Sequence, residues 1–222
     1  MFNIGIIMEK LAAERPVFHS EADFQFALAW KIQDTYPAAK IRLEKSVPGL
    51  EDSKSKYSKN RYIDIMVIID GKEIPIELKY KTRKKCKDPV KVKNEEYNLK
   101  NQGAQDNGRY DFFRDISKIE KYLNFKNTNC DYGYAIILTN DHLYYEPGRD
   151  SNSSQFRIDK EIERIKSGEH DWKSKSESFK TYNSNRFNVI KLKHSYDVEW
   201  KDYPASEEIG KEFKFLIVTI KK

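Results

Sequence analysis

The chain has 222 residues, a net charge of +6 and an isoelectric point near 9.0. Hydrophobic residues make up 38% of it and charged residues 34%, and an aromatic share of 13% argues against disorder throughout. Two cysteines and four histidines, without a CxxC or HxxxH pair, argue against a disulfide framework or a zinc ribbon. No segment approaches the length of a membrane span. We expect a cytoplasmic protein whose basic charge favours an anionic partner, nucleic acid first, although such a charge also serves solubility alone.

Hydrophobic periodicity and turn signals predict one domain over residues 1–222 with an α/β fold, bordering on α+β, in which helices flank a mixed sheet. Ser20 and Asp23 have the spacing of a capping box. The predicted elements are helices 3–14 and 20–36, strands 40–47, 61–69 and 72–81, a basic loop 82–100, helix 105–123, strand 132–140, a short helix 158–166 and two or three strands in the tail.

The stretch "RYIDIMVIIDGKEIPIELKYK" predicts a β-hairpin that brings two carboxylates together. Asp70-Gly71 is a strong two-residue turn signal, because a type I′ turn needs a positive φ at both centres. Continuing that register places Asp64 opposite Glu77 in a non-hydrogen-bonded pair, the kind with the closest side chains. Lys79 lies two residues beyond Glu77 and therefore shares its face of the strand.

Two opposed carboxylates on a partly buried sheet repel each other, and a divalent cation between them would relieve the repulsion. Oxygen ligands without His or Cys favour Mg²⁺ or Mn²⁺. Glu21, in the first turn of helix 20–36, projects toward the buried side and adds a third candidate carboxylate. Lys79 cannot bind a metal while it is charged, but it can orient a water or stabilise charge on a phosphate.

Each of these residues also has an ordinary structural interpretation. Asp64 and Glu77 suit the polar face of an edge hairpin, and Lys79 suits the end of a strand. Glu21 stabilises a helix by about 0.3–1 kcal/mol through the dipole alone. The apolar residues on both faces of strand 61–69 favour a functional site for the two carboxylates.

The combination of Asp64, the triplet Glu77-Leu78-Lys79 and the upstream Glu21 resembles the PD-(D/E)xK, or restriction-endonuclease-like, nucleases. The predicted order from helix 20–36 to strand 132–140 is similar to the αβββαβ core of that family. The resemblance covers about residues 18–140, with the strands and helix of residues 155–222 packed on this core. It implies that Asp64, Glu77 and the Leu78 carbonyl bind Mg²⁺ or Mn²⁺, that Glu21 binds a metal or its water, and that Lys79 assists the attacking water.

The sequence departs from the family pattern in two places. Ile63 precedes Asp64 where many members have proline. Gln105 and Tyr110 are one residue too far apart for the Gln-x-x-x-Tyr motif that some members carry, so no role is assigned to them. Three charged residues of helix 105–123 remain candidates for supporting or DNA contacts. They are Asp111, Arg114 and Asp115.

Basic residues flank both predicted site strands. A phosphate backbone held by them would lie near the metal, although a lysine-rich loop is most often simply solvated. The candidates for nucleic-acid binding are Lys81, Arg83, Lys84, Lys85 and Lys87 after the second strand, and Lys59 and Arg61 before the first.

The leading hypothesis is a Mg²⁺-dependent DNA endonuclease that hydrolyses phosphodiester bonds, of a restriction, defence or repair type. A homodimer is expected from the resemblance alone. The first alternative is a catalytically inactive nucleic-acid-binding protein on the same fold, and the second is a partner-binding subunit whose charge is incidental. The sequence does not decide whether the substrate is DNA or RNA, how many metal ions bind, or which target is recognised.

Overall fold

The computed structural model describes residues 2–48, 61–84, 89–92, 94–126, 128–174, 176, 186–203 and 212–222, and only the main chain of Arg61. Its helices are α1 (Ile4–Glu14), α2 (Glu21–Thr35) and α3 (Gln105–Leu123), with single 3₁₀ turns at His142–Tyr144 and Ser154–Phe156. Its strands are β1 (Lys40–Val47), β2 (Arg61–Ile69), β3 (Lys72–Lys81), β4 (Val90–Val92), β5 (Glu95–Tyr97), β6 (Tyr132–Thr139), β7 (Arg164–Ile165), β8 (Gly168–His170), β9 (Ile190–Leu192), β10 (Tyr196–Asp197), β11 (Trp200–Asp202) and β12 (Lys214–Lys221).

A six-stranded mixed sheet organises the molecule, in the order β1-β2-β3-β6-β12-β11. Strands β3 and β6 are parallel, and the other neighbouring pairs are antiparallel. The crossover from β3 to β6 contains α3, as a parallel connection requires. The predicted class, a mixed sheet flanked by helices, is confirmed.

Two apolar cores cover the two faces of the sheet. Helices α1 and α2 pack on one face around Phe24, Leu28 and Ile76, which are almost fully buried. Helix α3 packs on the other face around Phe112 and Ile116. Residues of β3 with even numbers thus point to the α1/α2 side, and those with odd numbers point to the α3 side.

The β2–β3 hairpin has the predicted turn. Asp70 and Gly71 both have positive φ, at 51° and 74°. The predicted register holds from Ile69↔Lys72 to Ile65↔Ile76. The pairing of β2 with β3 ends there, one pair before Asp64 and Glu77. The prediction that these two form a direct ladder pair is therefore wrong.

Strands β1 and β2 both change face where Asp64 lies. Ile63 belongs to the α3-side core and Ile65 to the α1/α2-side core, although residues two apart normally share a face. On β1, Leu43 packs on the α1/α2 side and Val47 on the α3 side. The intervening Glu44 has a φ of +48°. In the described strands the register is constant on both sides of this residue, but Glu44 and Asp64 themselves are not paired. This paired kink frees the main chain of Asp64 from the ladder.

Helices 3–14, 20–36 and 105–123 and the four predicted sheet strands through 132–140 are confirmed to within two residues. Loop 82–100 is corrected, because it contains the small β4–β5 hairpin. The predicted helix 158–166 is wrong. The Asp159 carboxylate accepts the Glu161 N–H, a local bond that competes with helix formation, and β7 follows.

Within the described residues, no helix combines the length and apolar character needed to cross a membrane.

Candidate active site

Asp64 lies at the kink in β2, where its carbonyl and its carboxylate both form hydrogen bonds outside the regular strand pairing. Its carbonyl accepts a hydrogen bond from Gln25 Nε2 at 2.6 Å, and the same amide donates to Glu44 Oε1 at 2.8 Å. Its Oδ2 accepts the Leu78 N–H at 2.7 Å. Because Asp64 takes an N–H that a continued ladder would use, β2 and β3 separate at this point.

Glu21 extends the same pattern along β3. Its Oε2 accepts the Tyr80 N–H at 2.8 Å, so two successive N–H groups on this edge of β3 are held by carboxylates. Glu21 comes from α2, on the face opposite to Glu77. The expectation that Glu21 joins Asp64 and Glu77 as a third metal ligand stays a prediction, and its described contact is to the Tyr80 N–H of the strand backbone.

Glu77 is buried, at 1% exposure, and points into the α3 layer. Its Oε2 forms an ion pair with Lys118 Nζ of α3, which also donates to the Tyr62 carbonyl at 2.9 Å. Its Oε1 is buried and has no hydrogen-bond partner among the described residues. An unsatisfied buried carboxylate oxygen is costly and is a common mark of a site that another group completes.

Lys79 lies on the same face of β3 and also meets α3. Its Nζ is 2.5 Å from Asp115 Oδ2 and donates to the Leu78 carbonyl at 3.0 Å. The Leu78 carbonyl and the Glu77 side chain are therefore neighbours in the same cluster. Three carboxylates and two ammonium groups meet between β2, β3 and α3.

Burial dominates the electrostatics of this cluster. It raises the pKa of Asp64 to about 6, while Lys79 acts in the opposite direction. It also raises the pKa of Glu77 well above its usual range, with Lys118 favouring the charged form and Asp64 opposing it. For Lys79, burial lowers the pKa, but the surrounding negative charges, Asp115 first, raise it overall. An added positive charge would therefore lower the pKa of both acids and stabilise their charged forms.

The donor set fits a hard cation in part. Asp64, Glu77 and the Leu78 carbonyl provide oxygen atoms, and Glu77 Oε1 needs a partner. Among the described residues, however, no group of three or more His, Cys, Asp or Glu side chains is arranged to hold a metal ion. A cation here would be held by two carboxylates and one carbonyl, with water completing its shell.

The predicted basic contacts are described only in part. Lys81 ends β3, Arg83 Nη1 lies 3.6 Å from Asp141 Oδ1, and Lys84 is exposed. These three follow Lys79 at the carboxyl end of the same strand. Lys59, Lys85, Lys87 and the Arg61 side chain lie outside the described residues.

Two site residues were missed from the sequence, Lys118 and Gln25, while Asp115 was only a general candidate. A signal existed for Lys118, because the polar positions Asp111, Asp115, Lys118 and Tyr122 recur at helical spacing on α3. In the described ion pairs, Asp111 pairs with Arg114 and Arg186 and not with the cluster. Gln25 gave no signal, since its role depends on a kink that periodicity does not predict.

No family model matches the chain, and no curated protein or solved structure shows significant similarity to it.

Proposed function

We propose that the protein is a divalent-metal-dependent nuclease of the PD-(D/E)xK type that hydrolyses phosphodiester bonds in DNA. One observation carries the proposal: Asp64 of β2 and Glu77 of β3 meet in one buried cluster with Lys79, where their strands separate. In the part of the chain that the structure describes, Glu77 Oε1 lacks a hydrogen-bond partner there. The resemblance of Asp64 and Glu77-Leu78-Lys79 to the family motif supports the same conclusion.

The residues have distinct roles in this proposal. Asp64, Glu77 and the Leu78 carbonyl would hold Mg²⁺ or Mn²⁺. The bound ion supplies Lewis-acid polarisation of the phosphate and a more acidic water. Lys79, fixed by Asp115, orients the attacking water and offsets negative charge on the phosphate. Glu21 accepts the Tyr80 N–H and so satisfies a backbone group of β3 where β2 no longer pairs with it.

The charge distribution supports a nucleic-acid substrate. The chain carries a net charge of +6, and Lys81, Arg83 and Lys84 directly follow the strand that bears Glu77 and Lys79. Phosphates bound by these side chains would lie at the end of β3 nearest the cluster.

A specific observation favours the second candidate, a nucleic-acid-binding protein without catalysis. The two acids already have partners that need no cation, since Asp64 accepts the Leu78 N–H and Glu77 pairs with Lys118. A binder on this fold would keep these contacts for stability alone. Cleavage separates the two candidates, because both predict salt-dependent binding to DNA.

The test is incubation of the purified protein with mixed DNA substrates in Mg²⁺, in Mn²⁺ and in EDTA. We expect cleavage with either metal and none in EDTA, and we expect Glu77→Gln and Lys79→Met to abolish it. The matched controls are Glu73→Gln and Lys45→Met, which alter an ion pair on the same face of β3, four residues from Glu77. Cleavage in EDTA, or cleavage by both site variants, would reject the mechanism. Binding without any cleavage would favour the second candidate.

A further inference from the structure

We propose that the ammonium group of Lys118, which pairs with Glu77 Oε2 in the metal-free protein, competes with a divalent cation for the Glu77 carboxylate. Lys118 would then set the cation affinity of the site by competing for the Glu77 carboxylate. This inference rests on the proposed function, because it concerns the cation of the same site.

The contacts of Lys118 give it this position. Its Nζ pairs with Glu77 Oε2 and donates to the Tyr62 carbonyl at 2.9 Å. The Lys118 side chain is 12% exposed and that of Glu77 is 1% exposed, so the pair lies largely out of solvent. An ammonium group in direct contact with a ligand oxygen excludes a metal ion from the same side of that oxygen.

The second lysine of the cluster does not share this position. Lys79 Nζ is engaged by Asp115 Oδ2 and the Leu78 carbonyl. Among the described ion pairs, only Lys118 contacts Glu77. Lys79 also contacts one candidate ligand, the Leu78 carbonyl, but a carbonyl oxygen keeps a second lone pair for a cation. Lys118 instead neutralises a carboxylate ligand itself, and we expect it to withdraw when a cation binds.

Electrostatics require the withdrawal. A dication on Glu77 would lie within a few ångströms of the Lys118 charge, and repulsion between like charges is strong where water is scarce. The lysine stem is flexible enough to move its charge away while its Cα stays on α3. The cost of breaking the Lys118–Glu77 pair is then subtracted from the cation affinity.

The competing explanation is that Lys118 only fastens α3 to β3. Charge separates the two explanations. Lys118→Gln keeps a side-chain donor for Glu77 but has no charge, whereas Lys118→Arg keeps the charge. Competition predicts tighter cation binding for Lys118→Gln but not for Lys118→Arg, and a purely structural role predicts that both variants impair the site.

Direct Mn²⁺ binding, measured by electron paramagnetic resonance and by calorimetry, tests the inference without a substrate. We expect Lys118→Gln to bind Mn²⁺ about ten-fold more tightly or better, because a nearby positive charge is removed. We expect Lys118→Arg to bind no more tightly than the native protein. Lys45→Gln, which removes the lysine paired with Glu73 on the same face, should leave the affinity unchanged. Equal or weaker binding by Lys118→Gln would overturn the inference.

A measurement on the native protein covers the case in which a variant does not fold. Lysine acetylation is followed residue by residue by mass spectrometry, with and without Mn²⁺. Lys118 should become several-fold more reactive when the cation releases it from Glu77. Lys31 is the control, because it is also 12% exposed and paired with Glu14 on the other helix layer. Unchanged reactivity of Lys118 in protein that binds Mn²⁺ would overturn the inference.

The outcomes also distinguish this inference from the proposed function. If the native protein binds Mn²⁺ through Glu77, and the Lys118 variants bind it equally, only the competition fails. If neither the native protein nor Lys118→Gln binds Mn²⁺, the metal-dependent function fails and the competition fails with it. Binding gained only in Lys118→Gln supports the competition directly.

Discussion

Gln25 Nε2 donates to the carbonyl of Asp64 at 2.6 Å and so connects α2 to the kink in β2. The same amide donates to Glu44 Oε1, on the residue that faces Asp64 across the interrupted ladder. Gln25 is buried, at 8% exposure. It therefore satisfies a main-chain group that the kink has removed from the sheet and fixes the orientation of Asp64.

We predict that Gln25→Met, which keeps the side-chain volume, lowers the free energy of unfolding by about 1–3 kcal/mol, because it leaves a buried carbonyl unsatisfied. It should also weaken Mn²⁺ binding. The matched control is Gln33→Met on the same helix, where Gln33 Nε2 donates to the Pro37 and Ala39 carbonyls far from the site. That variant should change stability alone. Unfolding in urea and Mn²⁺ titration measure both quantities, and equal Mn²⁺ affinities for the two variants would contradict a positioning role.

The role of Glu21 can be tested by separating its charge from its hydrogen-bonding capacity. Its Oε2 accepts the Tyr80 N–H at 2.8 Å, a bond that a glutamine oxygen can also form. We expect Glu21→Gln to keep its fold and its Mn²⁺ affinity, and Glu21→Ala to lose about 1–2 kcal/mol of stability from the unpaired N–H. If Glu21→Gln loses Mn²⁺ binding as Glu77→Gln does, Glu21 is a ligand after all, as the family resemblance implies.

Much of the fold was predictable because local rules determine it. Asp70-Gly71 specified the turn, and alternating apolar residues specified β2 and β3. The sequence predicted which residues form the cluster but not their geometry. Asp64, Glu77 and Lys79 do meet, but Asp64 and Glu77 are not a ladder pair. The reason is the kink, because period-two reasoning assumes that every residue alternates, and both strands change face at Glu44 and Asp64.

Contributions from helices were harder to predict than contributions from strands. Lys118 reaches Glu77 only because α3 crosses the sheet at one particular position, and sequence spacing cannot give the position of a helix over a sheet. Glu21 was predicted to point toward the core, and its carboxylate does reach β3, but it reaches the backbone at Tyr80.

Lys84 tests the proposed path of the phosphate backbone. It is exposed just beyond the end of β3. We predict that Lys84→Gln weakens DNA binding for all sequences alike and reduces the slope of log affinity against log salt by about 1, as the loss of one phosphate contact does. Lys72→Gln, at the hairpin end of the same strand, is the control and should leave the slope unchanged. Fluorescence anisotropy over a series of salt concentrations gives both slopes, and equal slopes for the two variants would exclude Lys84 from the interface.

Glu73 provides a test of acid stability away from the cluster. Burial alone would raise its pKa, but bonds from Lys45 Nζ at 2.6 Å and Tyr122 Oη at 2.7 Å lower the pKa overall. A group with a lowered folded-state pKa stabilises the protein above its unfolded value of about 4.3 and loses that contribution as the pH falls through the folded value. We therefore expect Glu73→Gln to be less stable than the native protein by about 1 kcal/mol at neutral pH. The difference should shrink in acid, and urea unfolding from pH 7 to pH 3 measures it. A difference that stays constant over this range would contradict the ion-pair explanation.

Gly108 tests how closely α3 is packed at its first turns. Glycine within a helix normally costs about 1 kcal/mol relative to alanine, so Gly108→Ala would be expected to stabilise an isolated helix. Here an added Cβ would lie 2.1 Å from Tyr144 Oη, and Tyr144 is buried at 1% exposure, so the ring has little room to move.

We predict that Gly108→Ala lowers the free energy of unfolding by about 1–3 kcal/mol through overpacking. Tyr144→Phe removes the oxygen at 2.1 Å and leaves Cζ at 3.0 Å as the nearest atom, so combining it with Gly108→Ala should recover part of the loss. Gly103→Ala, where no atom of the described residues lies within 4 Å of the added Cβ, is the control and should be close to neutral. Chemical unfolding of the native protein, the two single variants and the double variant gives the coupling energy between residues 108 and 144. Additive effects would show that the hydroxyl of Tyr144 does not limit the size of residue 108.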